Sequence, residues 1–188
     1  MRGKLIAALT IAAACTFSYT ATAAPATATA TPAAQSGGNV HLIDYTNYDG
    51  AATTAILAGA IGDFGEGISV NPDGTLSTEH TELDLALSQG TFRLDIAALT
   101  EKFLTAAGTV PFQHGPQSCS GFMTASGTAP IIAGSGTGAY QGIRGTFQLT
   151  MTANEVDAPT TNDRCDLTGQ MLSQIIVTEG TANISYSS

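Results

Sequence analysis

The chain has 188 residues, 43% of them hydrophobic and 11% charged, with 15 acidic residues against six Lys and Arg and a net charge of −9. Nucleic acid and anionic lipid headgroups repel so acidic a protein, so no nucleic-acid partner is expected. Beyond the N-terminal residues, no segment is long and apolar enough to suggest a transmembrane span.

The first 23 residues are predicted to be a secretory signal peptide. Arg2 and Lys4 give a basic start, and the small apolar run at 5–17 is too short to cross a bilayer. Residues 21–23 (Ala-Thr-Ala) are a pattern that a signal peptidase cleaves. A secreted, extracellular protein is therefore expected. The alternative is a lipoprotein acylated at Cys15, which follows three alanines.

Residues 24–38 are rich in Ala, Thr and Pro and are predicted to be a flexible linker, because they cannot bury enough apolar area to form a core. Residues 39–188 are long enough for a single domain. After cleavage the chain would keep four cations against 15 acidic residues, a net charge of −11.

Two cysteines remain after residue 23, Cys119 and Cys165. An even pair in a secreted chain indicates a disulfide. Two free thiols are the alternative. A zinc site is less expected because no histidine lies near either cysteine in the sequence.

The hydrophobic pattern has mostly period two, which is typical of strands with one buried face. Alternating or small apolar segments at 40–45, 53–61 and 67–70 precede a predicted hairpin of 82–88 and 91–96 with a turn at Gln89-Gly90. A short helix is possible at 53–61. After a predicted helix, the strand pattern returns at 119–125, 128–133, 145–155 and 169–185, the last with a break near Glu179-Gly180.

One short helix is predicted from Ile96 to Leu104. Ile96, Leu99, Phe103 and Leu104 fall on one face, Asp95 is a candidate N-cap, and Gly108 ends the helix.

About eight short strands and one helix predict an all-β fold, a closed antiparallel barrel, with a β-sandwich as the alternative. The side chains expected to point inward are Leu83, Leu85, Leu87, Phe92, Leu94, Phe147, Leu149 and Met151.

Five glycines between residues 134 and 145 form the most distinctive stretch. A dinucleotide fingerprint would open a helix, and a P-loop would need Lys-Ser or Lys-Thr after the glycines, but here an alternating strand follows. The stretch is therefore predicted to be a structural corner between strands, not a phosphate site, and no cofactor is expected. Its glycines are Gly134, Gly136, Gly138, Gly142 and Gly145.

Residues 136–145 (GTGAYQGIRG), followed by an alternating strand, resemble the Gly-Thr-Gly-x-Tyr/Phe-x-x-x-x-Gly corner of the allene oxide cyclase and dirigent-like (calycin-type) barrels. The resemblance covers some twenty residues closely. It implies a closed barrel with an apolar interior cavity. The family's corner is architectural, so it transfers no catalytic residue.

The other candidates for chemistry are weak. Asp63 and Glu66 form a possible acid pair for general acid–base work, and His80 is a possible base. The polar loop 157–166 is oxygen-rich but lacks EF-hand spacing, so calcium binding is left open and no metal site is assigned. No Ser/His/Asp set can be assembled, and the catalytic residues, if any, are unknown.

The sequence favours a secreted binding module for a small apolar ligand over an enzyme. Two alternatives stay open: a cyclase- or isomerase-type enzyme that acts inside the barrel, and a structural secreted protein with a filled interior. A cavity with a buried carboxylate would favour the enzyme, and the filled interior predicts no cavity.

Overall fold

The computed structural model describes residues 37–47, 52–77, 79–109, 113–115, 117–160, 165 and 169–187. Within them the fold is all-β, with one helix, α1 (Ala97–Ala107). The nine strands are β1 (Gly38–Thr46), β2 (Ala52–Gly59), β3 (Asp63–Val70), β4 (Glu82–Leu87), β5 (Gly90–Asp95), β6 (Gln113–His114), β7 (Cys119–Pro130), β8 (Ile143–Asp157) and β9 (Met171–Tyr186). The predicted signal peptide and most of the predicted linker lie outside the described residues, but Gly38 already belongs to β1.

All nine strands form a single antiparallel sheet in the order β5-β4-β3-β2-β1-β9-β8-β7-β6. The prediction of a closed barrel is not supported, because the strand ladder is open between β5 and β6. The sandwich alternative is not observed either, since one sheet is present and not two. The ladder is open because the edge of β5 that faces away from β4 pairs with no full strand of the described chain, which continues from β5 into α1.

The edge of β5 that faces away from β4 is covered by the connection between β7 and β8. Ile132 and Thr137 donate backbone hydrogen bonds to the carbonyls of Arg93 and Thr91, at 2.8 and 2.9 Å. A single β-bridge, Leu94 with Ile131, is the point where the two sides of the sheet meet. The edge is thus protected from pairing with other chains without closure of the ladder.

The core lies on the inward face of a strongly curled sheet. Inward side chains from β1, β2, β4, β5, β7, β8 and β9 form one cluster with Leu99 of α1. Of the side chains predicted to point inward, all are buried except Met151, which is half-buried. Alternation along the strands therefore identified the core face correctly.

Several predicted element boundaries were wrong. Residues 119–130 form one strand, and β9 runs unbroken through Gly180, which pairs with Leu42 on one side and Leu149 on the other. The turn of the β4–β5 hairpin is Ser88-Gln89, one residue earlier than predicted. Strand β2 confirms a strand and not a helix at 53–61.

The predicted helix is confirmed and ends as expected at Gly108, its C-cap, but its N-terminal end differs from the prediction. Ile96 occupies the N-cap position, and Asp95 Oδ1 accepts a hydrogen bond from the Ala97 amide at 3.1 Å. Leu104, expected on the buried face, is 63% exposed.

The predicted disulfide is confirmed. Cys119 and Cys165 are bonded, with their Cα atoms 5.3 Å apart, and Cys119 is fully buried at the start of β7. The bond links this strand to the connection between β8 and β9.

Candidate functional site

A cavity of about 410 Å³ lies between the inward face of the sheet and α1. Among its lining residues, His80 and Leu104 are the exposed ones and mark its mouth. The apolar lining residues are Leu83, Ile96, Phe103, Leu104, Met151 and Ile176, and the polar ones are Asp44, Thr46, Thr53, Ser69, His80, Thr100, Gln174 and Thr178.

The inward face of β1 changes character along the strand, and the cavity lies at its polar end. On β1 the inward residues run Val40, Leu42, Asp44 and Thr46, so that the strand is apolar at one end and polar at the other. On β9 the inward residues at this end, Gln174, Ile176 and Thr178, all line the cavity. The cavity wall therefore combines polar and apolar side chains, whereas Ala182 and Ile184 belong to the filled core.

Asp44 is the central polar group of the site. Its side chain is only 5% exposed, and among the described residues Thr53 donates to its Oδ1 through a short hydrogen bond. Burial raises the pKa of Asp44 to about 6, although the Thr53 hydrogen bond acts in the opposite direction. Asp44 therefore changes its charge near neutral pH inside a partly apolar cavity.

The Asp44–Thr53 pair fits only because residue 67, on the neighbouring strand β3, is glycine. A Cβ at Gly67 would lie 2.6 Å from Asp44 Oδ1 and closer still to Thr53 Oγ1. The Gly67 carbonyl also lies 3.1 Å from Thr53 Oγ1, so it competes with Asp44 for the one hydroxyl proton of Thr53.

Two further polar groups face the cavity. Ser69 is 7% exposed, and its Oγ has no hydrogen-bond partner within the described part of the chain. Such a buried group is costly unless something hydrogen-bonds to it. His80, the candidate base, lies at the mouth with a left-handed backbone (φ 52°), and its carbonyl accepts a 2.7 Å hydrogen bond from Thr100 of α1.

An acidic pair lies behind the cavity wall on β8. Glu155 and Asp157 both point inward and are 8% and 1% exposed. Gln174, which lines the cavity, donates to Glu155 Oε2 at 2.6 Å. Burial and the neighbouring Glu155 raise the pKa of Asp157. The interior at this end is therefore acidic.

The proposed acid pair of Asp63 and Glu66 does not form. Asp63 points inward and Glu66 outward, as positions of opposite parity on β3 must. Burial tends to raise the pKa of Asp63, but hydrogen bonds from Ser88, Tyr140 and the amides of Phe64 and Gln89 lower it on balance. Asp63 thus has a structural role, since it binds three neighbouring segments at the end of the sheet opposite the cavity.

The five glycines of the predicted corner lie in the β7–β8 connection and at the start of β8, around a 3₁₀ turn at Gly138–Tyr140. Gly138 has φ 56°, and a Cβ there would lie 3.1 Å from Gly90 Cα, where the connection crosses the β4–β5 turn. The segment that follows is a strand and not a helix. The corner is remote from the cavity residues.

Of the loop considered for calcium, Asp157 belongs to β8, whereas Asn162, Asp163 and Asp166 lie outside the described residues. No cluster of three or more possible metal ligands occurs among the residues that the structure describes.

Sequence reasoning missed Asp44, the residue that dominates the cavity. The signal was present: in the alternation Val40-His41-Leu42-Ile43-Asp44, the carboxylate takes an inward position of a strand whose other inward residues are apolar. A charged residue in such a position is unusual unless it is paired or functional.

No known family model, curated protein or solved structure matches this chain. Among the described residues, no helix has the length and apolar character needed to cross a membrane.

Proposed function

We propose that the protein is a binding module for a small, largely apolar molecule, held in the cavity between α1 and the sheet. The observation that carries this proposal is a cavity of about 410 Å³ whose wall combines six apolar side chains with a buried carboxylate. Sites for small organic molecules typically measure roughly 300–1,000 Å³ and are mainly apolar with a few polar groups. A filled structural domain, the third possibility, would have no such space. We also propose kinship with the allene oxide cyclase and dirigent-like barrels, whose apolar interior cavity would agree with an internal ligand here.

The test is saturable binding of a neutral apolar fluorophore, N-phenyl-naphthylamine, to the unmodified protein and to two variants of β9. Ile176 lines the cavity, and its neighbour Ile175 points to the outer face and is 44% exposed. Ile176→Phe should weaken binding because its longer, planar ring reshapes the cavity wall and reduces the free volume, whereas Ile175→Phe should leave binding unchanged. Equal effects of the two substitutions, or no saturable binding to the unmodified protein, would contradict the proposal.

A cyclase- or isomerase-type reaction is the second candidate, and the buried Asp44 is the specific observation that favours it. A carboxyl group with a pKa of about 6 in a partly apolar cavity can both accept and return a proton near neutral pH. Deuterium uptake from D₂O into an unsaturated medium-chain ketone, faster with the wild type than with Asp44→Asn, would establish this activity. Equal uptake with the two proteins would leave binding as the function.

A further inference from the structure

We propose that the cavity selects ligands with an ammonium head group, which pairs with the Asp44 carboxylate while an apolar tail lies against α1. This inference rests on the proposed binding function and adds the chemical class of the ligand. Its basis is the geometry of the polar end of the cavity.

Asp44 has no counter-charge among the described residues that line the cavity. Its partner within the described chain is the neutral hydroxyl of Thr53, which the Gly67 carbonyl also attracts. None of the described lining residues is a lysine or an arginine, and His80 lies at the exposed mouth. A buried carboxylate is strongly stabilised when a cation enters and supplies both charge and hydrogen bonds.

The groups around the polar end of the cavity are acidic. Glu155 and Asp157 lie on the same inward face of β8, and Gln174 connects Glu155 to the cavity wall. The whole chain carries a net charge of −9. This excess of negative charge near the cavity attracts ligands of the opposite sign and repels carboxylates.

The polar end of the cavity offers several oxygen atoms to which an ammonium group can donate its protons. Thr178 lies beside Asp44 in the β1–β9 register, and the unpartnered Ser69 Oγ faces the same cavity. An ammonium carries three N–H donors and no acceptor, which suits a carboxylate surrounded by hydroxyl oxygens. The apolar side chains Phe103, Leu104 and Met151 are left for the tail.

The groups that control the pH response can be named for each element around Asp44. Thr53 on β2, Ser69 on β3, Leu83 on β4, and Ile176 and Thr178 on β9 do not titrate in the working range, nor do Thr100, Phe103 and Leu104 of α1. The ionisable groups on this side of the described sheet are Asp44, His80 at the exposed mouth, and Glu155 and Asp157 on β8. Loss of the Asp44 charge below about pH 6 should remove the preference for a cation.

The experiment compares octylamine, octanol and octanoate by calorimetry, since these probes share one tail and differ in head-group charge. At pH 7.5 octylamine should bind at least about tenfold more tightly than octanol, as expected for a charge-assisted hydrogen bond, and octanoate most weakly. The preference for the amine should be lost in Asp44→Asn and kept in Glu179→Gln, which removes an equal charge from the outer face of β9. It should also shrink at pH 5 in both the wild type and His80→Asn, a substitution that tolerates the left-handed backbone.

Equal binding of octylamine and octanol, tighter binding of octanoate, or a preference for the amine that survives in Asp44→Asn would overturn the ammonium inference and leave the proposed binding function standing. Failure of all three probes to bind would overturn the proposed function itself. Asp44→Asn is expected to fold, because it removes a buried charge.

Discussion

Asp63 and Tyr140 lie 77 residues apart in the chain and are joined by a buried hydrogen bond from the Tyr140 hydroxyl to the Asp63 carboxylate. The Tyr140 ring also packs edge-on against Phe92, with ring centroids 5.3 Å apart. These contacts attach the glycine-rich connection to the start of β3 and to β5. They hold the curled sheet together on the side where the strand ladder is open.

Tyr140→Phe should lower the free energy of unfolding by about 1.5–3 kcal/mol, the usual contribution of a hydrogen bond to a charged group. Urea unfolding at pH 7 measures the change. Tyr45→Phe is the matched control, because Tyr45 is 42% exposed, and it should cost almost nothing. Equal stabilities of the two variants would show that the Asp63–Tyr140 bond does not stabilise the fold.

Asp63 should make the protein less stable in acid. Its folded-state pKa is lowered, so the stability it contributes is complete above the ordinary carboxyl pKa of 3.8 and is lost as the pH falls through the lowered value. In urea titrations between pH 2 and 5, the wild type should lose more stability on acidification than Asp63→Asn does. Parallel curves for the two proteins would refute this assignment.

Asp44 should act in the opposite direction. Its pKa is raised from 3.8 to about 6, so the folded protein holds the Asp44 proton more tightly than the unfolded chain does. The contribution of Asp44 to the free energy of unfolding is therefore complete below pH 4 and is lost as the pH rises through 6. The loss amounts to about 3 kcal/mol. Asp44→Asn should therefore be more stable than the wild type at pH 7, with the difference vanishing near pH 4. A difference independent of pH would mean that Asp44 does not titrate in this range.

Gly67→Ala should disrupt the cavity's polar end. The added Cβ would collide with the Asp44–Thr53 pair, so we expect a loss of stability of roughly 1–3 kcal/mol, as for other overpacked sites, and weaker binding of the fluorophore. Gly62→Ala is the control, since a Cβ there meets no atom within 4 Å. Thermal unfolding measures the loss of stability, and fluorophore titration measures the loss of binding. If Gly67→Ala changes neither quantity, the Asp44–Thr53 pair does not lie as close to Gly67 as described.

The double substitution of Cys119 and Cys165 by serine should cost about 4 kcal/mol, because the bond closes a loop with a sequence separation of 46 residues. Comparison of the urea midpoints of the oxidised protein and the double variant tests this. Unchanged midpoints would show that the unfolded chain gains little freedom when the bond is absent.

The local sequence pattern was sufficient to predict several features of this structure. Period-two alternation identified the inward faces of β4, β5 and β8, because successive side chains of a strand must point to opposite faces. The pairing of Cys119 with Cys165 followed from the two cysteines that the chain has after residue 23. The strand after the glycine-rich stretch excluded a phosphate-binding helix without any coordinates.

The cavity and its chemistry depended on the tertiary structure. Whether Asp44 is solvated or buried depends on the next strands, β2 and β3, and on α1 and β9, which are distant in the chain; all of them pack around it only in the folded protein. Whether the sheet closes depends on where α1 and the β7–β8 connection lie relative to β5. Alternation along a strand fixes which side chains share a face, but the space and the dielectric environment in front of that face are properties of the assembled layers.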